Sequence, residues 1–315
     1  MPPLLTFFLI TLAILLASAI FFHILVRLGP FGQRACDACA KAPLLDLIVF
    51  YFCHGPHIAA VVVWCNVHSA IAIYCDLLPP SVIGSAPDAT ALPQSVDVSS
   101  QTPDWLSSWS GLCTLLAISI AAQAATLVLW SWFHEALNPG IRKGPRIVST
   151  LNRRVGWFRN HAAVWWTALA VPLFTLIRIA EIFIYPPLHW LVRLPKYNTA
   201  EWINISRQKF SGLVGYDLIW CLYCDWMTGV WSLGSEMLRN VESFWCPIKY
   251  TSPEKCEKCC IDFPDIEGGW VDAKGNIADV AKVLEEKYPG PNGDNGWFGH
   301  PSRANLTIEG KKPKP

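Results

Sequence analysis

LLTFFLITLAILLASAIFFHILV, Leu4 to Val26, holds no Asp, Glu, Lys or Arg. At about 1.5 Å per residue, a helix over it reaches across a hydrocarbon core of about 30 Å. No basic residue precedes it and no small-x-small cleavage site follows closely, so it reads as a retained span rather than a signal peptide. Arg27, Arg34 and Lys41 lie behind it. Basic residues favour the inner side, which places the N-terminus outside. The whole composition agrees: 52% of the 315 residues are hydrophobic and only 16% are charged, well below the roughly 25% of soluble domains. Sixteen tryptophans suit a chain that meets membrane interfaces, where an indole can keep its N–H wet. A net charge of +1 offers no basic excess for nucleic acid.

Three further spans are expected. Leu47 to Ile73 is apolar and contains Pro56, which predicts a kink and a freed carbonyl for a neighbouring helix to satisfy. Trp109 to Phe133 carries no charge, and Ala117, Ala121 and Ala125 form a small face expected to pack on another span. Ala162 to Tyr185 contains Pro172, expected to bend it, and is expected to end at Pro186-Pro187. The spans are thus about 4–26, 47–73, 109–133 and 162–185, within a transmembrane domain over 1–190. The loop after the second span is acidic and rich in Pro, Ser and Ala, and reads as outside. The loop from His134 to Asn160 carries Arg142, Lys143, Arg146, Arg153, Arg154 and Arg159 against Glu135 alone, a strong inside signal. Alternation then puts the region after Tyr185 outside, although Arg193, Lys196, Arg207 and Lys209 follow it.

Residues 191–246 form a Trp-rich segment. Within it, Leu213 to Gly234 is apolar and aromatic but holds Asp217 and Asp225. Two unpaired carboxylates in lipid are costly, so it is expected as an interfacial or buried helix rather than a fifth span. Residues 247–315 are soluble in composition, with helical spacing from Ile277 to Tyr288. The expected fold is therefore mainly α: a bundle of about four transmembrane helices with a small Cys-rich α/β or irregular C-terminal domain outside the membrane.

The chemistry concentrates between Trp220 and Cys260, which holds six of the twelve cysteines. Cys221/Cys224 and Cys256/Cys259 are C-x2-C pairs, with Cys246 between them and Cys260 beside the second. Four thiolates at such spacing can hold zinc or an iron–sulfur centre. In an oxidising compartment the six can instead form disulfides, C-x2-C can be a redox dithiol, and cysteine in an aromatic helix can simply pack. Cys36 and Cys39 make an isolated third pair. Cys75 and Cys113, at the outer ends of spans two and three, can meet as a disulfide.

His54, His57 and His68 fall within the second span, where ionisable groups are usually functional. His54 and His68 lie about 21 Å apart along a helix. That spacing resembles the histidine pairs that hold two stacked haems in b-type cytochromes. The resemblance implies haem ligation, but it covers two residues of one helix, and the possible partners His134, His161 and His189 sit at span ends. His23, His54, His57, His134 and His161 all fall towards the inner face. Arg178 and Glu181, three apart in the fourth span, can pair. Asn204-Ile-Ser and Asn305-Leu-Thr fit the glycosylation sequon, which is too short to locate the protein.

Three functions follow as expectations for an integral, multi-pass protein of a plasma membrane, or an inner membrane if bacterial. One is a Cys-based metal-binding or redox protein, such as an electron-transfer subunit. Another is a non-catalytic structural or assembly subunit of a larger membrane complex, whose partners are lipid and other membrane subunits. The third is a small transporter.

Overall fold

The computed structural model describes residues 3–77, 108–245, 271, 274–287 and 290–293, with backbone alone for 67–77. It is mostly helical, and no strand occurs among the described residues. Four helical stretches are long and apolar enough to cross a membrane: Pro3–Leu25, Leu44–Asn66, Trp109–Leu137 and Trp157–Val192. The acidic loop lies outside the described residues, as does most of the expected Cys-rich C-terminal domain. From that domain, the helix Ile277–Lys287 is described. Asn276 caps it: the Asn276 Oδ1 accepts the Ala278 N–H at 2.8 Å, and Asp279 Oδ2 accepts the Asn276 N–H at 2.8 Å.

The chain divides into two compact units. The first comprises residues 1–39, 46–145 and 214–219; the second comprises 40–45, 146–213 and 220–315.

In the first unit, helix α1 (Pro3–Leu25) is followed by α2 (Gly29–Cys39), α3 (Leu44–Leu77), α4 (Trp109–Leu137) and the short α5 (Pro139–Arg142). Leu4 and Phe7 of α1, Ala60 and Trp64 of α3, and Leu115 and Leu116 of α4 share one apolar cluster. Below it lies Pro56, inside α3. Proline has no N–H, so the Phe52 carbonyl four residues back loses its helical donor. Gln123 of α4 supplies the replacement: its Nε2 donates to Phe52 O at 2.7 Å and to Cys53 O at 2.8 Å. One turn away, the Ser119 hydroxyl lies 3.1 Å from Pro56 O and 2.9 Å from Leu115 O.

These polar groups set the rotation of α4 and overturn one expectation. Its buried face is Gly111, Leu115, Ser119, Ala122, Thr126 and Ser131. Ala117 and Ala121 are exposed and Ala125 is half-buried. Turning the alanines inward would carry Ser119 and Gln123 away from the α3 carbonyls that need them.

In the second unit, α6 (Ile147–Val155) leads through Gly156 into the fourth apolar stretch. That stretch is α7 (Trp157–Thr167), a 3₁₀ turn at Ala168–Ala170, α8 (Val171–Phe183) and α9 (Tyr185–Val192). It is longer at both ends than the expected 162–185. Pro186-Pro187 does not end it. Both prolines sit in the first turn of α9, where a missing N–H costs nothing and a fixed φ suits the helix. Pro172 likewise opens α8, with the 3₁₀ turn absorbing the change.

After the short α10 (Thr199–Trp202), the ambiguous stretch is part of α11 (Tyr216–Trp245), a 30-residue helix. In the second unit it buries Trp226, Val230, Leu233 and Met237 at helical spacing. At Gly229 it crosses the 202–203 backbone: an added Cβ would lie 2.6 Å from Trp202 O and 3.0 Å from Ile203 Cα. At Gly234 it crosses α8, where a Cβ would lie 2.9 Å from Glu181 Oε1. A short extended crossing ties residues 40–42 to 203–205, through Ala42 N–H to Ile203 O at 3.0 Å and Ile205 N–H to Ala40 O at 2.8 Å.

The glycine crossing is testable. Gly229→Ala forces a methyl group onto immovable backbone and should cost about 1–3 kcal/mol in detergent unfolding, against its gain in helix propensity. Gly140→Ala, with nothing within 4 Å of the new methyl, should leave the unfolding midpoint unchanged or slightly raised.

Candidate functional site

Among the described residues, a set of buried polar groups lies in the second unit, along α8, α9, α11 and the 194–203 segment. Arg178 and Glu181 stand on one face of α8, and Arg178 Nη1 donates to Glu181 Oε2 at 2.8 Å. Their side chains are 6% and 3% exposed. Gly234 brings α11 down onto this pair. Two residues on, Glu236 is buried, with its Oε2 3.9 Å from Arg239 Nη1. One turn further, buried Asn240 donates through Nδ2 to the Tyr197 hydroxyl. The Tyr185 hydroxyl donates to Pro195 O at 2.9 Å, and the two tyrosine rings lie 6.0 Å apart. Tyr197 in turn meets Trp202 edge to face at 5.7 Å. Burial, then the neighbouring Tyr185 and Glu236, push the Tyr197 phenol above its ordinary range, so it stays a neutral hydroxyl at any physiological pH. Asn240 Oδ1 and the indole N–H groups of Trp202 and Trp226 are buried without a hydrogen-bond partner.

Asp225 corrects the premise of two bare carboxylates. It accepts the Ser206 N–H at 3.0 Å and the Arg207 N–H at 3.1 Å, and its Oδ1 meets Arg207 Nε at 3.0 Å. Asp217 is buried at the first turn of α11.

The cysteines are partly placed. Cys221 is half-buried and Cys224 exposed, three residues apart on α11 and so on one helix face. Cys246, Cys256, Cys259 and Cys260 lie outside the described residues. Among the described residues, no group of three His, Cys, Asp or Glu side chains is arranged to hold a metal ion. Cys36 and Cys39 are free thiols on α2. Burial, then Cys39 and Asp37, raise the Cys36 thiol above its ordinary value, which makes it a poor thiolate nucleophile. Cys113 is exposed in the first turns of α4, and the side chain of Cys75 lies outside the described residues.

Four of the described histidines form two groups. His54 and His57 are neighbours on α3, with ring centroids 6.4 Å apart; the side chain of His68 lies outside the described residues. The second group was not assembled by sequence reasoning, which placed His23 and His134 at the same membrane end without pairing them. Their rings meet edge to face at 5.4 Å. His134 also stacks on Trp130 at 4.8 Å and accepts the Gly215 N–H through Nδ1 at 3.0 Å. That bond puts the proton of a neutral His134 on Nε2. His23 Nε2, Trp130 Nε1 and Ser131 Oγ are buried here without a hydrogen-bond partner. Gly215 has φ +53°, and a Cβ on it would lie 2.6 Å from Glu135 Cγ. In the second unit, His189 Nδ1 lies 2.5 Å from Leu194 O and closes the turn after α9.

The described architecture is that of a helical protein with four helices long and apolar enough to cross a membrane. Compared with protein-family models, with curated proteins and with solved structures, the chain matches none.

The buried ion pair makes a sharp prediction. Arg178→Met alone strands a buried carboxylate and should cost about 3–5 kcal/mol in unfolding free energy. Arg178→Met with Glu181→Leu removes both charges and should recover most of that loss. A double variant as unstable as the single one would show that the pair is needed as charges.

Proposed function

We propose that this chain is an integral, multi-pass membrane protein serving as a non-catalytic structural or assembly subunit of a larger membrane complex. The observation that carries the reading is the use of the buried charges. Arg178 is bonded to Glu181 beneath α11 rather than facing an aqueous path. The transporter reading asks for a water-accessible Arg178 and is therefore less well supported. Asp225 likewise fixes the 206–207 turn. These groups tie helices and loops together, which is what a scaffold needs. Lipid and other membrane subunits are the partners of this reading. The topology has the N-terminus outside and the basic 27–46 and 134–160 loops inside. Plasma membrane, or bacterial inner membrane, is the location.

A second reading is supported by Cys221 and Cys224 sharing one face of α11. With Cys246, Cys256, Cys259 and Cys260 they would form a Cys-based zinc or iron–sulfur site in a metal-binding or redox domain, suited to electron transfer. A haem on His54 and His68 is supported by spacing alone. The Cys75–Cys113 disulfide rests on the topology.

Purification from the native membrane in mild detergent separates these readings. The subunit reading predicts fixed-stoichiometry co-elution with other membrane polypeptides, a colourless product and no zinc or iron held by the chain. Zinc or iron near one per chain, lost in the Cys221→Ser/Cys256→Ser variant, would overturn it in favour of the metal-binding reading. A Soret band lost in His54→Ala would do so in favour of haem.

A further inference from the structure

The basic segment ahead of the fourth apolar stretch folds as a separate helix, α6. On it Ile147, Val148, Leu151 and Val155 fall within about 100° of arc, at 100° per residue. Ile147, Leu151 and Val155 are 49%, 40% and 47% exposed. Ser149 and Arg153 stand on the opposite side, and Arg154 flanks the apolar face. The chain then turns at Gly156, which has φ +91°, and α7 begins at the next residue. Asn160 of α7, itself buried, donates through Nδ2 to Asn152 Oδ1 at 2.8 Å, clamping the half-buried polar side of α6 against α7. The clamp leaves the Ile147–Leu151–Val155 stripe outward. Trp157 and Phe158, at the junction, are also exposed.

We propose that α6 lies in the plane of the membrane surface as a helix that binds anionic lipid. The proposal rests on the reading that Trp157–Val192 spans the bilayer. Given that span, the geometry follows from covalent connection. One residue separates α6 from the first residue of the span, so α6 sits at headgroup depth, with a strip of apolar side chains that water would otherwise face. An apolar face of this kind, bordered by arginine, is the pattern of interfacial helices. Trp157 and Phe158 belong at the same level. The charge names the lipid. Arg153, Arg154 and Arg159 are all exposed within the hairpin, and Arg142 and Lys143, which precede it in the sequence, are exposed too. In the same stretch Glu135 is the single acid, and it faces Arg142 at 3.9 Å. Each such cation near an anionic surface gains about 1 kcal/mol.

The test uses the full chain in nanodiscs of zwitterionic lipid, with and without phosphatidylglycerol. An environment-sensitive fluorescent amino acid is encoded at position 151, 149 or 173, one at a time, and quenched by lipids brominated at shallow or deep positions. The expected result is shallow quenching at 151, none at 149 and deep quenching at 173. If 173 is not quenched, the spanning reading fails and the proposal with it. If 173 is quenched while 151 behaves like 149, the proposal alone is overturned. The charge is tested separately by native mass spectrometry of mixed-lipid nanodiscs. Arg153→Gln/Arg154→Gln should lower retention of phosphatidylglycerol relative to phosphatidylcholine by about fivefold or more. Unchanged retention in that variant would overturn the anionic-lipid assignment.

Discussion

Inside a bilayer, a backbone carbonyl without a donor has no water to turn to. Pro56 creates such a carbonyl at Phe52, and the Gln123 amide of α4 closes it together with that of Cys53. Much of the first unit follows from this contact. It fixes which face of α4 meets α3, puts Ser119 beside Pro56 O, and brings Leu115 onto Ala60 in the apolar cluster. At the far end of α4 the same rotation buries Thr126 and Ser131, and Trp130 and His134 form the stacked pair that receives Gly215. A glutamine in a span would be costly if it met only lipid; here both its amide hydrogens are engaged.

The second unit meets the same constraint with side chains instead of backbone. Its charges are neutralised at contact distance, Arg178 by Glu181 and Asp225 by Arg207 and two amides. Two glycines of α11 permit the approach: Gly229 lets the helix sit on the 202–203 backbone, and Gly234 lets it sit on Glu181. Wherever α11 is placed with respect to lipid, its buried polar side chains meet protein. The proposed subunit role is an extension of that economy, in which polar groups serve cohesion and the apolar exterior meets lipid and partners.

The four apolar stretches were legible because length and lack of charge are one-dimensional properties. So was the Arg178–Glu181 pairing, since a spacing of three on a helix leaves few alternatives. What failed was anything that depends on rotation or on distant partners. The Ala117/Ala121/Ala125 stripe has the spacing of a packing face, yet Gln123 and Ser119 outrank it because hydrogen bonds are lost if α4 turns. Pro186-Pro187 reads equally as a stop or as a first turn; only the preceding helix geometry decides. Asp225 looked bare because its donors, at 206 and 207, lie 19 and 18 residues away. His23 and His134 are separated by more than a hundred residues, and their common membrane depth was the only signal that linked them.

The central claim is that a side chain of one span repairs the proline break in another. A double-mutant cycle on Pro56→Ala and Gln123→Leu tests it directly, with reversible unfolding in detergent as the readout. Gln123→Leu in the native background should cost about 1–3 kcal/mol, the penalty of stranding a buried acceptor. With Pro56→Ala already in place, residue 56 supplies its own N–H to Phe52, and the same substitution should cost less than half as much. Equal costs in both backgrounds would contradict the account, because Gln123 would then stabilise α4 by some route that does not pass through the Pro56 break.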